Sequence, residues 1–419
     1  MDRVRMRTLW QNATNYHGLW LPTTACLFAF LMPLWQNVLP VVLVAFMVSW
    51  WAGAEKRPAL RWNSPLPWTG MLFLLHVVGM AWSTNWDYGL FDLQIKLPLL
   101  LLPVLGMLRP RGVEILLPLV FLAFASGNVL AVLIGLGHVG FTVAAGNVDL
   151  SQVFFGASFA ILTHSSYFSM MLSLALGGFF LLHVHQVLPG WIRVLIPALL
   201  CVGIVLCGSK IGWIVFPLVL AWVLIRQWRE RETRMPILGL GVATIGGIAL
   251  LLTLSPFARD RVEEMIASIR ENDVRPEATT SSEIRKLAWR GAWEVSARHF
   301  PWGAGTGDVK DKLIEVYEER GYQHLVERRI NAHSQFLQMF AALGVAGLLL
   351  TAFIILIPLT RRSAGPVMRL LLLLALLNWA VESMLEVQAG VMLFAFFSLL
   401  LSRNIDLRSR DPLQPPAHR

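Results

Sequence analysis

The sequence is poor in charged residues and in cysteine. Charged side chains make up 15% of the 419 residues and hydrophobic ones 56%, and the mean hydropathy is +0.60. These values exclude an ordinary soluble globular protein. Cys26, Cys201 and Cys207 all lie inside apolar runs, which suits buried residues better than disulfides or metal ligands. The runs also lack the alternating pattern of a membrane β-barrel, so we predict an all-α polytopic membrane protein.

Apolar runs recur along the chain, each roughly 17–25 residues long, which is about the length of a helix that crosses a bilayer. The first run follows three arginines and has no small-residue cleavage site, so we interpret it as an uncleaved span and not as a signal peptide. Residues 1–255 are predicted to hold nine transmembrane helices and residues 334–402 three more. The twelve predicted spans lie near residues 18–35, 37–54, 64–82, 93–108, 113–138, 161–183, 191–207, 211–227, 235–255, 334–359, 366–385 and 388–402.

Positive charges are distributed unevenly between alternate loops. If the N-terminus is cytoplasmic, that side holds 20 of the 35 Lys and Arg residues, while the short opposite loops hold only Lys96 and Lys210. The positive-inside rule therefore predicts that both termini, including the tail 403–419, are cytoplasmic. In a membrane protein the placement of the positive charges matters more than the net charge of +9, and no nucleic-acid partner is expected.

Residues 256–333 form a long polar segment on the predicted extracytoplasmic side. It holds 13 Lys and Arg and 14 Asp and Glu residues, and a loop of this length is more often functional than connective. The second of its predicted helices starts at a Thr280–Glu283 capping-box spacing, and the third ends at Gly321. The three predicted helices are FARDRVEEMIASIR (257–270), TSSEIRKLAWRGAWEV (280–295) and KDKLIEVYEERG (310–321). We therefore predict a helical extracytoplasmic loop domain that carries functional residues.

Ionisable residues at the ends of spans are candidate functional groups because charge is costly in a membrane. Lys96, Lys210 and His333 all lie on the side of the polar segment, and His333 is followed by Ser334 and Gln335. Each lysine alone is equally well explained by snorkelling to the interface. Their shared side favours a common site for an anion.

Arg285 lies on a predicted helix with Trp289 and Trp293 on the same face. One interpretation is an interfacial helix that lies on the membrane surface. The other is that the planar guanidinium binds a diphosphate.

Three further features leave their roles open. The glycine-rich segment HFPWGAGTGD (299–308) does not follow a strand, so it is not a dinucleotide fingerprint; it is either a turn close to a ligand or a simple loop.

Glu382 and Glu386, at i and i+4, are secondary candidates that bind a cation, relay protons or pair with the basic residues. His164 lies on the same side and is either a site residue or structural. No Asp-x-Asp motif is present, and we predict no metal site.

Four segments occur in an order that resembles the O-antigen ligase and polymerase superfamily. They are GSK (208–210), RKLAW (285–289), PWGAGTG (301–307) and AHSQFLQMFAALGVAG (332–347). The resemblance implies a GT-C-like enzyme of the bacterial inner membrane that uses no cofactor. It would transfer a polysaccharide from undecaprenyl diphosphate to an acceptor at the periplasmic face. In the ligase branch the acceptor is lipid A–core.

The resemblance also implies roles for individual residues. Arg285 and Lys210 would bind the diphosphate, and His333 would activate the acceptor hydroxyl. Further substrate-binding candidates are Lys96, His164, Trp289 and Arg290. Lys210 stands where the family commonly has arginine, so it keeps the charge but loses the bidentate geometry.

The residues themselves are consistent with metal-independent, single-displacement transfer that inverts the anomeric carbon. A polymerase would use the same chemistry on another acceptor. A protein O-oligosaccharyltransferase is less favoured because the predicted cytoplasmic tail is short. A transporter for a lipid-linked glycan is also less favoured, since no internal repeat is evident and the charges cluster at one face.

Overall fold

A computed structural model gives the architecture of most of the chain. Its described part is helical apart from turns and one backbone bridge between Ala54 and Pro110. The prediction of an all-α protein is therefore confirmed for these residues. The structure describes residues 2–54, 62–108, 110, 113–146, 156–229, 231–254, 256, 259–260, 262–263, 266, 274–277, 280–361 and 364–402.

The α-helices are numbered here in chain order. They are α1 Asp2–His17, α2 Trp20–Leu31, α3 Leu39–Ala52, α4 Pro65–Gly79, α5 Trp86–Lys96, α6 Pro98–Met107, α7 Leu117–Ala144, α8 Ser165–Leu181, α9 Gly190–Leu206, α10 Lys210–Gln227, α11 Arg231–Leu254, α12 Ser281–Arg298, α13 Val309–Glu319, α14 Gln323–Glu327, α15 Gln335–Thr360, α16 Pro366–Val381 and α17 Gln388–Leu401.

Each predicted span contains an apolar helix in the structure. Within the described residues, five helical segments are long and apolar enough to cross a membrane: Pro65–Trp82, Trp86–Met107, Leu117–Ala144, Lys210–Gln227 and Gln335–Thr360. Shorter apolar helices of 10–17 residues occupy the other predicted positions. These findings support a polytopic membrane protein. That all twelve segments cross the bilayer, and that the arrangement is GT-C-like, stay predictions.

Helices α8 and α17 form the centre of the bundle. Side chains are buried from Ser166 to Leu181 in α8 and from Ala389 to Leu401 in α17. A helix that is apolar on all sides is expected to be surrounded by other helices. In α17, the ring of Phe396 lies 4.6 Å from that of Phe28, centroid to centroid. The two central helices therefore give a rigid base to the connections at their N-terminal ends.

Helix α15 is broken at Gly344, where φ is 61° and ψ is −150°. This backbone region is essentially restricted to glycine. The glycine-rich segment, residues 299–308, forms backbone hydrogen bonds with the residues on both sides of this break. The hydrogen bonds run from Ala304 N to Ala341 O (2.8 Å), from Gly305 N to Ala342 O (2.9 Å) and from Val345 N to Pro301 O (3.0 Å). The backbone of this segment thus contacts another helix. Neither predicted alternative, a turn close to a ligand or a simple loop, included this contact.

The same segment also holds the start of α5. The carboxylate of Asp308 accepts hydrogen bonds from the backbone N–H groups of Thr84, at 2.9 Å, and Asn85, at 2.7 Å. Gly307 is packed so closely that an added Cβ would lie 2.2 Å from the carbonyl oxygen of Asn85. The glycine-rich segment therefore joins α5 to the break in α15.

Residues 280–334 form a cap on one end of the bundle. The two predicted helices that fall on described residues are present as α12 and α13, and Gly321 follows the end of α13 with a φ of 70°. The capping box is wrong in detail, because the Thr280 hydroxyl donates to the Glu283 carboxylate and does not cap the backbone. Most of the predicted helix at 257–270 lies outside the described residues.

Two predicted span boundaries are also wrong. The fourth span, predicted over 93–108, begins as early as Trp86, so Lys96 lies at the junction of α5 and α6 and not in the first turn of the span. The eleventh helix ends at Val381, and Glu382 has an extended backbone. Glu382 and Glu386 therefore lie in the connection 382–387 and do not share a helical face.

Replacing Gly344 with alanine is predicted to destabilise the protein. The new Cβ would lie 1.8 Å from the carbonyl oxygen of Pro301, on a backbone that only glycine adopts readily. We expect a lower thermal unfolding temperature in detergent. Gly246→Ala is the matched control, because among the described residues no atom outside the nearby backbone of its own helix lies within 4 Å of the added Cβ. Equal unfolding temperatures for the two variants would contradict the account of the break.

Candidate functional site

The carboxylate of Glu382 is the centre of a buried polar cluster at the cap end of the bundle. Glu382 is 3% exposed and accepts hydrogen bonds from Arg285 Nη2 at 2.5 Å and Ser166 Oγ at 3.1 Å. The Nδ1 atom of His333 lies 3.2 Å from its other oxygen. Burial alone would raise the pKa of Glu382, but the hydrogen bond from His333 and the charge of Arg285 outweigh it and lower the pKa to about 2. The carboxylate is thus a fixed negative charge.

His333 occupies an unusual backbone conformation directly before α15. Its φ is 45°, in the left-handed region that non-glycine residues rarely adopt. Three contacts hold it there: Trp289 Nε1 donates to its carbonyl at 3.0 Å, its N–H donates to Asn331 Oδ1 at 3.1 Å, and Glu382 binds its ring. Backbone strain that the surroundings over-determine is a feature of functional sites.

The contact with Glu382 decides which nitrogen of His333 can act as a base. A carboxylate beside Nδ1 favours the proton on that atom, so the lone pair of the neutral ring is on Nε2. Among the described residues, no group makes a hydrogen bond to His333 Nε2, and the side chain is 21% exposed. Nε2 is therefore the ring nitrogen of His333 that remains available to a bound molecule.

Protein oxygens accept hydrogen bonds from some of the N–H groups of the Arg285 guanidinium. Its Nε donates to Val381 O at 3.2 Å and its Nη1 to Ser281 O at 3.0 Å, in addition to the bond to Glu382. A guanidinium carries more N–H groups than these three bonds use, so Arg285 can still donate to a bound anion. Lys210, predicted to act with it, donates to Ser282 Oγ at 2.8 Å. The structure therefore brings Lys210 and Arg285 together at the N-terminal turn of α12.

Lys96 does not have the geometry of a diphosphate ligand. It is fully buried and is paired with Asp92, one turn earlier on α5, and with Glu386 Oε2 at 3.1 Å. An ammonium with two carboxylate partners has little reason to recruit an external anion. The structure therefore favours a structural role for Lys96, against our expectation that it belongs to the anion site.

Ser334 and Gln335 connect the His333 loop to the connection 382–387. The N–H of Ser334 donates to Ser383 Oγ at 3.1 Å, and Gln335 Oε1 accepts from the N–H of Leu385 at 2.6 Å. Gln335 Nε2 also lies 3.4 Å from Glu386. These secondary candidates hold the two loops together. The two glutamates pair with basic residues, one of the three alternatives that the sequence left open.

The remaining candidates surround the cluster. His164 is the exposed N-cap of α8, where its Nδ1 accepts from the N–H of Ser166 at 3.4 Å. Trp289 uses its indole N–H on the backbone of His333. Arg290 is exposed on α12, one position beyond Trp289 and on a different face from Arg285. Among the described residues, no group of three or more His, Cys, Asp or Glu side chains is placed to hold a metal ion.

Two residues with polar contacts to these side chains are not among the sequence-predicted candidates: Asp92, which pairs with Lys96, and Ser166, which donates to Glu382. Asp92 lies four residues before Lys96 in DLQIK, a spacing that indicates an ion pair on a helix and would have revealed it. Ser166 carries no such signal, because a serine at the start of an apolar run looks like any helix cap.

The stretch that holds the central residues matches a known family. Residues 194–352 match the family model described as O-antigen ligase, and this match supports the resemblance to the O-antigen ligase and polymerase superfamily. The matched stretch includes Lys210, Arg285 and His333, whereas Lys96, His164 and the two glutamates lie outside it. Among curated proteins, none matches the chain. The family match suggests a polysaccharide-transferring membrane enzyme.

Lys96→Met is predicted to reduce stability more than binding. It would leave Asp92 and Glu386 buried without their cation, and removal of one partner from a buried pair costs about 3–5 kcal/mol. We expect a large drop in unfolding free energy, measured by denaturant titration in detergent. Lys210→Met, at a half-buried position, should cost much less. A Lys96→Met protein that is as stable as wild type but fails to bind substrate would restore the predicted role in the anion site.

Proposed function

We propose that this protein is an O-antigen ligase. It transfers polysaccharide from undecaprenyl diphosphate to lipid A–core at the periplasmic face of the inner membrane. The observation that carries the proposal is the contact between His333 Nδ1 and the buried Glu382, beside Arg285. The family match over residues 194–352 supports the same class of reaction.

His333 acts as the general base in this proposal. Its Nε2 takes the proton from a hydroxyl of the acceptor, and the hydroxyl oxygen attacks the anomeric carbon of the first donor sugar. The bond between that carbon and the diphosphate oxygen breaks, and the sugar–acceptor bond forms on the opposite face. Glu382 stabilises the imidazolium that results, and general-base assistance of this kind gives about 10²–10⁴-fold in rate.

Arg285 and Lys210 stabilise the leaving group. Negative charge grows on the bridging oxygen as undecaprenyl diphosphate departs, and fixed cations near that atom lower the barrier by several kcal/mol in a site shielded from water. Arg285 contributes the N–H groups that protein acceptors do not use. These two positive side chains compensate the negative charge of the diphosphate without a metal ion. We therefore propose a metal-independent, inverting, single displacement.

The distribution of charge in the sequence supports a periplasmic location of the site. Both termini are proposed to be cytoplasmic, which places the cap and His333 on the other side. A lipid-linked donor would then present its first sugar at the height of the membrane surface, where α15 begins.

His333→Ala is predicted to reduce transfer by about 10²–10⁴-fold because the general base is lost. The assay combines purified protein, lipid-linked O-antigen and lipid A–core in the presence of EDTA, and product is detected on the lipid A–core. His324→Ala is the matched control, since this histidine also belongs to the cap but lies on α14, outside the cluster. Product that appears only as a longer glycan on undecaprenyl diphosphate would identify a polymerase. Full activity of His333→Ala, or a requirement for added Mg²⁺, would refute the proposed mechanism.

A further inference from the structure

Lys310 is a cation for which the proposed reaction has no role. It is half-buried in the first turn of α13, and its Nζ donates to the carbonyl oxygen of Arg329. Within the described residues no carboxylate lies within ion-pair distance of this ammonium. In contrast, Lys96, Arg285 and Arg329 each have a carboxylate partner. Lys310 is therefore a largely desolvated cation whose direct partner is a neutral oxygen.

Lys310 borders the loop that presents His333. Arg329, whose carbonyl it binds, lies four residues before His333 and has a positive φ of 45° as well. Glu386 and Asp311 are close enough to act on Lys310 electrostatically without pairing with it, and Glu386 in turn contacts Gln335. Lys310 thus approaches the His333 loop from α13, whereas Lys210 and Arg285 approach from the start of α12.

A partly desolvated ammonium without a carboxylate at ion-pair distance is unfavourable. Burial lowers the pKa of Lys310, and the negative charge of Glu386 opposes this effect only in part. Desolvated charges are normally paired, and a bound anion would supply the missing partner. Arg329 lies beside it, 58% exposed and 3.0 Å from Asp311, and can turn its remaining N–H groups to the same anion.

We propose that Lys310, assisted by Arg329, binds an anionic group of the acceptor, such as a phosphate on its saccharide. This inference rests on the proposed function. An anion on Lys310 would hold the acceptor against the His333 loop from α13, whereas the cations assigned to the donor diphosphate lie at the first turn of α12. The acceptor hydroxyl would then reach His333 Nε2 while the donor occupies the α12 side.

The test compares two acceptors with the full-length protein in detergent. Lipid A–core with its saccharide phosphates and the same acceptor after phosphatase treatment are titrated separately, with undecaprenyl-diphosphate-linked glycan as donor. Lys310→Gln should raise the KM for the phosphorylated acceptor about tenfold or more, since a hydrogen bond to a charged group is lost. The KM for the treated acceptor and the KM for the donor should match those of wild type. Lys310→Arg should recover much of the affinity.

Two controls separate binding from folding. Lys312→Gln, on the same helix, removes an exposed lysine paired with Glu315 and should leave both acceptors unaffected. If Lys310→Gln fails to fold, Arg329→Gln is measured instead and should show the same preference to a smaller degree.

Some outcomes would overturn the proposal. An equal loss with both acceptors would show that Lys310 only supports the loop, and a raised donor KM would place it in the donor site. Failure of the wild-type protein to transfer to either acceptor would instead refute the proposed function.

Discussion

The carboxylate of Glu382 is the point at which three separate parts of the chain meet. Arg285 reaches it from the cap, Ser166 from the start of the central helix α8, and His333 from the loop before α15. A buried negative charge must be compensated, and here each compensating group is also part of the candidate site. The ion pair thus fixes the cap on the bundle and at the same time orients the imidazole. Stability and site geometry depend on the same contact.

A second constraint acts through the backbone. The break at Gly344 separates the first turns of α15, which follow His333, from the remainder of the helix, and the glycine-rich segment binds both sides of the break. Asp308 extends this joint to α5, which carries Asp92 and Lys96. Lys96 in turn pairs with Glu386, four residues after Glu382. The buried charges and the broken helix therefore form one framework around the His333 loop, with Lys210 and Lys310 at its edges.

Much of this arrangement could be predicted from the sequence, because it depends on local patterns. Apolar runs located the helices, and the order of short motifs indicated Arg285, Lys210 and His333 as candidate site residues, which stays a prediction. The pairing of side chains was harder to predict, since it depends on three-dimensional contacts between distant segments. The sequence alone left Lys96 available to bind an anion, but in the structure it pairs with Asp92 and Glu386. The glycines of 299–308 left open a turn close to a ligand and a simple loop, whereas in the structure their close packing allows two backbones to contact each other.

The central claim is that Glu382 acts on catalysis through His333. The most direct test is a double-mutant cycle that measures kcat/KM for transfer in wild type, Glu382→Gln, His333→Ala and the double variant. If Glu382 works by orienting and stabilising the imidazole, its substitution should reduce activity strongly in wild type. The same substitution should have little further effect once His333 is gone. Fully additive losses would show that the two residues act independently and would contradict the account.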